Sequence, residues 1–136
     1  MTYPYLTIDI DIESDFEIDN FIEYIKYKVD LLSYNELDNC YFATFEMKYI
    51  DIISNNPNNN INRVIELINS LPENLKNIFF DIRKKTLDIG YECNKMNYVL
   101  DSFISNESLK KASDLGFSIN IRLYPDIQDK ADIITI

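Results

Sequence analysis

The 136 residues predict an α+β domain: a mixed four- to five-stranded sheet with helices packed on one face, ferredoxin-like or an elaboration of it. Three observations lead there. Several short segments alternate apolar and polar residues, as strands with one buried face do. Between them lie segments whose apolar residues recur at i, i+3, i+4 and i+7, the stripe of a helix that packs on a core. The two kinds follow one another as β-α-β(β)-α-α-β-α-β, and strand–helix–strand units of this length pack as helices against a sheet.

The first strand is read from Leu6, Ile8, Ile10 and Ile12 alternating with Thr7, Asp9, Asp11 and Glu13. Ser14-Asp15-Phe16-Glu17 fits a capping box and predicts a helix opening at Ser14. Asp15, Glu17 and Asp19 suit the positive end of its dipole. Ile18, Phe21, Ile22, Ile25 and Val29 form its apolar stripe. Residues 29–34, the polar 35–39 and residues 40–49 read as a hairpin, or as a loop leading into one long strand. Ser54 to Asn60 (SNNPNNN) reads as a polar low-complexity loop. Ile61, Val64, Ile65, Ile68 and Leu71 predict a second helix, which Pro72 stops and where a third begins. Leu75, Ile78, Phe79 and Ile82 repeat the spacing, with Arg83, Lys84 and Lys85 at the negative end. Thr86 to Cys93 alternates as a strand, and residues 94–104 read as a loop. Ser105 caps a short helix bearing Leu109, Ala112 and Leu115, and Gly116 stops it. Phe117 to Tyr124 alternates as a last strand ended by Pro125. Residues 126–136 read as a frayed acidic tail, or as an edge strand at Ile133 to Ile136. The chain shows no internal boundary and no repeat, so 1–136 is one domain.

Composition narrows function more than it defines it. A chain of 136 residues is long enough to bury a core without metal or disulfide support, and a hydrophobic share of 46% is not that of a disordered chain. The Met-Thr-Tyr-Pro-Tyr start lacks a basic segment and an apolar run, and no stretch is long enough to cross a bilayer, so the expected location is cytoplasmic. Cys40 and Cys93 form no CxxC pair and are read as reduced, half-buried thiols. Histidine is absent, which removes Ser-His-Asp and Cys-His catalysis and His-ligated zinc. Gly90 and Gly116 cannot build a phosphate-binding loop. Read as a calcium loop from Asp9, the sequence places Ser14 where glycine is needed and Asn20 where the bidentate glutamate belongs. Asp88 and Glu92 share a strand face but stand about 13 Å apart, too far for one proton relay. The chain is therefore expected to be no enzyme, with no catalytic residues, no metal and no cofactor.

Charge is the lopsided feature. The net charge is −10, which disfavours nucleic acid and anionic membrane as partners. Between Asp9 and Asp38 ten acidic residues face only Lys26 and Lys28. Asp9, Asp11, Glu13, Asp15, Glu17, Asp19 and Glu23 are thus the candidate docking face for a basic protein.

Leu87-Asp88-Ile89-Gly90-Tyr91-Glu92, then Ser105-Asn106-Glu107-Ser108-Leu109, then Leu115-Gly116-Phe117-Ser118-Ile119 and finally Leu123-Tyr124-Pro125 resemble the C-terminal half of a group of small bacterial domains of unknown function. Some of these resemble immunity proteins of bacterial toxin systems. The likeness spans Thr86 to Pro125, and Cys93-Asn94 departs from it. It implies a non-catalytic immunity protein that occludes a cognate toxin domain with its acidic surface. The alternative is a small-ligand-binding or regulatory module with Tyr91 and Tyr124 at a pocket rim.

Overall fold

The computed structural model describes residues 5–48, 56–93 and 102–125. The elements are β1 (Tyr5–Ser14), α1 (Asp19–Ile25), β2 (Val29–Leu37), β3 (Cys40–Met47), α2 (Pro57–Asn69), α3 (Glu73–Asp81), β4 (Lys84–Cys93), α4 (Asn106–Asp114) and β5 (Phe117–Pro125). They form one five-stranded sheet in the order β2-β3-β1-β4-β5. β1 lies antiparallel between β3 and β4, β2 is antiparallel to β3, and β5 is parallel to β4. The sheet is therefore mixed, and the fold class is α+β. The β2-β3-β1-β4 order is what two interleaved strand–helix–strand units produce, with α4 and β5 added beyond them.

Alternation along the strands separates two faces. Ile8, Ile10 and Ile12 of β1, Ala43, Phe45 and Met47 of β3, and Leu87, Ile89 and Tyr91 of β4 are buried together with Phe21, Ile22 and Ile25 of α1, Ile61, Val64, Ile65 and Ile68 of α2, Phe79 of α3 and Ala112 of α4. All four helices thus bury their apolar stripes on the same side of the sheet. Thr7, Asp9, Asp11 and Glu13 alternate onto the other side.

Several local readings are corrected. Ser14 ends β1 and opens no helix. Its hydroxyl accepts from Phe16 N at 3.2 Å and donates to Phe16 O at 2.6 Å, a local turn that competes with the helix. α1 starts later, at Asp19, and its N-cap residue Ile18 has no side-chain cap of its own. The Tyr34 hydroxyl on β2 accepts from Ile18 N at 3.0 Å instead and donates to Asp19 Oδ1 at 2.7 Å. Val29, the expected end of the stripe, is buried but begins β2. Tyr34→Phe removes this borrowed cap, and an unfolding titration is expected to show a loss of about 1–2 kcal/mol.

The hairpin reading holds, with a tighter turn than expected. Asp38 and Asn39 carry φ of 54° and 64°, so two residues of left-handed backbone join β2 to β3. Leu32 is the extra residue of a bulge in β2 and is 54% exposed. The Asn-rich segment is also more ordered than a loop from Ser54 to Asn60. Residues 54 and 55 lie outside the described residues, Asn56 caps α2 through Asn58 N, and Pro57 begins the helix. Asn58 Oδ1 then accepts from Ser105 N at 2.8 Å, and Asn62 Oδ1 from Ser108 Oγ at 3.1 Å, so α2 braces the start of α4. Gly116, at φ +84°, ends α4 as expected. The proposed tail or edge strand at 126–136 lies outside the described residues.

Candidate functional site

The cross-strand register assembles a site that no single strand contains. On the side of the sheet away from the helices, Asp30 of β2, Glu46 of β3, Asp9 of β1, Asp88 of β4 and Asn120 of β5 are successive partners in one row. The next row is Ser33, Thr44, Asp11, Thr86 and Ser118, and beyond it Asn35, Phe42, Glu13 and Lys84. Directly opposed like charges repel at the short cross-strand distance of a sheet, so four carboxylates abreast are costly unless bonded or protonated.

Each carboxyl is treated differently. Asp88 is 7% exposed, accepts from Asn120 Nδ2 at 2.8 Å and pairs with Arg122 Nε at 2.9 Å. Asp11 accepts from Thr44 Oγ1 at 2.8 Å. Thr7 Oγ1 donates to Glu46 Oε2 at 3.4 Å. Among the described residues no cation pairs with Asp9, and its Oδ1 is closed off from solvent without a hydrogen-bond partner. Burial, a hydrogen bond with the Glu46 carboxyl, and the neighbouring Glu46, Asp11 and Asp88 charges push the Asp9 carboxyl up to about 7. Beside these rows, Asp11, Glu13, Phe42, Thr44, Lys84 and Asn120 line an open concavity of about 550 Å³.

The seven acidic residues read from sequence do not form one patch. Asp9, Asp11 and Glu13 share the helix-free face. Glu13 and Asp15 meet at Arg83, which donates through Nη2 at 3.2 Å and Nε at 2.9 Å respectively. Glu17 and Asp19 line a hollow of about 350 Å³ at the β1–α1 corner with Tyr34, Asn35, Glu36 and Tyr41. There Glu17 Oε2 accepts from Asp19 N at 3.2 Å. Burial first, and then its bond to Asp19, push the Tyr34 hydroxyl up to about 12. Glu23 sits on α1, in the helical layer, paired with Lys26 at 2.9 Å. Sequence reasoning missed Asp30, Glu46 and Asp88 as members of the face. Their alternation was visible, but the register that lines them up was not.

No family model, curated protein or solved structure matches this chain. The site is therefore read from its own chemistry. Among the described residues no group of three or more His, Cys, Asp or Glu side chains could hold a metal ion. Asp88 and Glu92 stand on one strand, with Asp88 committed to Arg122 and Asn120. Cys40 is half-buried, with its Sγ 3.8 Å from Arg83 Nη2. Tyr91 and Tyr124 do not share a rim. Tyr91 is 2% exposed on the helical side, where its hydroxyl bonds the Ser102 hydroxyl. Tyr124 is 42% exposed and lies over Gly90 on the opposite side, where a Cβ on Gly90 would come within 2.9 Å of its ring. No helix among the described residues is long and apolar enough to cross a membrane.

Proposed function

We propose that this chain is a non-catalytic protein-binding domain of the immunity type, which holds a basic toxin domain against the acidic face of its sheet. The observation that carries the reading is the carboxylate row Asp30–Glu46–Asp9–Asp88, with Asp11 and Glu13 beside it, on the side of the sheet where the described residues place no helix. A concentrated negative surface attracts a cationic partner over distance and then pairs with its Lys and Arg side chains. A rigid sheet presents those charges in fixed positions, which lowers the ordering cost of binding. The net charge of −10 adds to the attraction.

The test begins with the tagged chain and its Asp9→Lys/Asp11→Lys/Glu13→Lys variant, each exposed to the cellular and secreted proteins of the source cells. A basic protein retained in near-equal amount by the wild type and lost by the variant is the expected result. That protein's toxic activity should then fall to zero on stoichiometric addition of the wild-type chain. Identical retained sets for both forms would remove the sheet face from consideration, and undiminished toxicity would remove the inhibitor role.

A further inference from the structure

Asp9 and Glu46 face each other across β1 and β3, with Asp88 and Asp30 on either side of them in the same row. Ionised carboxylates only accept hydrogen bonds, so two of them side by side can bond each other only when one is protonated. The sealed Oδ1 of Asp9 points the same way, because an ionised oxygen shut away from water and without a donor is costly. We propose that Asp9 and Glu46 hold one proton between them and act as a proton switch in the sheet. With the proton in place the helix-free face carries one negative charge less. When it leaves, that charge appears at the centre of the row and β1 and β3 repel each other there.

The charges around the pair come from every strand. Asp11 lies two residues along β1, and Asp88 is the β4 partner of Asp9, with Glu92 further along that strand. Asp30 of β2 is the partner of Glu46 on its other side. Lys48 follows the end of β3. Arg122 of β5 is already bonded to Asp88, and Arg83 and Lys84 are engaged by Glu13 further along β1. The helices lie on the other side of the sheet. The surroundings are thus dominated by negative charge, which favours keeping the proton.

Asp9 titrates at about 7 when folded, against an ordinary 3.8. Below the ordinary value both states are protonated and nothing is lost. Between the two values the folded chain keeps a proton that the unfolded chain has released, so stability falls as pH rises. Above about 7 the loss is complete. The switch belongs to the sheet itself and does not depend on what docks there.

A carboxyl ¹³C NMR titration of the full chain from acid to mildly basic pH tests it, together with melts of the wild type and Asp9→Asn. The expected spectrum shows Asp9 titrating near neutrality, with that step absent in Asp9→Asn. The variant is expected to melt about 3–6 °C above the wild type at basic pH and level with it at acid pH. Asp9 titrating in the ordinary acidic range would overturn the proposal, as would a melting difference that does not change with pH. The wild-type titration decides the matter even if Asp9→Asn does not fold, and Glu46→Gln provides the second variant.

Discussion

Reversing Asp9, Asp11 and Glu13 to lysine is expected to weaken binding of the cationic partner on the order of 100-fold, mostly through slower association. The melting midpoint should stay within a few degrees of the wild type. Both halves follow from position. The three side chains lie on the helix-free side of β1, while Ile8, Ile10 and Ile12 of the same strand form the core on the other side. Reversal at Asp9 relieves repulsion within its row, reversal at Asp11 gives up its bond from Thr44, and reversal at Glu13 loses its partly exposed pairs with Arg83 and Lys84, contacts of a kind worth about 1 kcal/mol or less. Association rates measured at low and high salt should converge for wild type and variant, because screening removes the steering that the variant lacks. Glu23→Lys is the matched control. It changes the charge by the same amount per residue but lies on α1, in the helical layer, so its effect should be several-fold smaller. Equal losses from Glu23→Lys and from any one of the sheet reversals would mean that net charge, not this face, governs binding.

The outline of the fold was legible because it rests on local signals. Ser105 and Gly116 bound α4 where their cap and stop chemistry says they should, and the final strand runs to Pro125. The failures have physical causes. The Ser14 capping box lost to a turn closed by the same hydroxyl, and α1 is capped by Tyr34, sixteen residues from Ile18 in sequence. No local rule reveals a cap borrowed from another strand. The asparagines after Pro57 read as low complexity, yet Asn58 and Asn62 bond the first turn of α4. The candidate site was half legible. The acidic side of β1 was plain from its alternation, but the partnership of Asp9 with Glu46 and Asp88 depends on register, a tertiary property. Lys85 shows the same limit. It was expected as one of three cations near the end of α3, and it does donate to Phe79 O at 3.1 Å there, but it does so from β4 with 6% exposure. Burial pushes its ammonium below the ordinary value.

Phe79→Ala is expected to be the most damaging single change, costing about 3–5 kcal/mol, a large share of the about 5–15 kcal/mol that holds a domain together. Phe79 is fully buried on α3, with ring centroids 6.1 Å from Phe21 of α1 and 5.6 Å from Phe117 of β5. The Lys85 ammonium sits 4.7 Å from its centroid. Truncation therefore opens a cavity where two helices and an edge strand meet, and it strips a buried cation of its aromatic neighbour. The midpoint of a thermal melt should fall by on the order of 10 °C. Below that midpoint the variant should still bind the partner as the wild type does, because its change is confined to the helical side of the sheet. The two variants thus form a crossed pair: the sheet reversal loses binding and keeps stability, and Phe79→Ala loses stability and keeps binding. A folded Phe79→Ala protein that no longer binds would move the docking surface to the helices. A variant as stable as the wild type would mean that the helical layer does not pack around this ring.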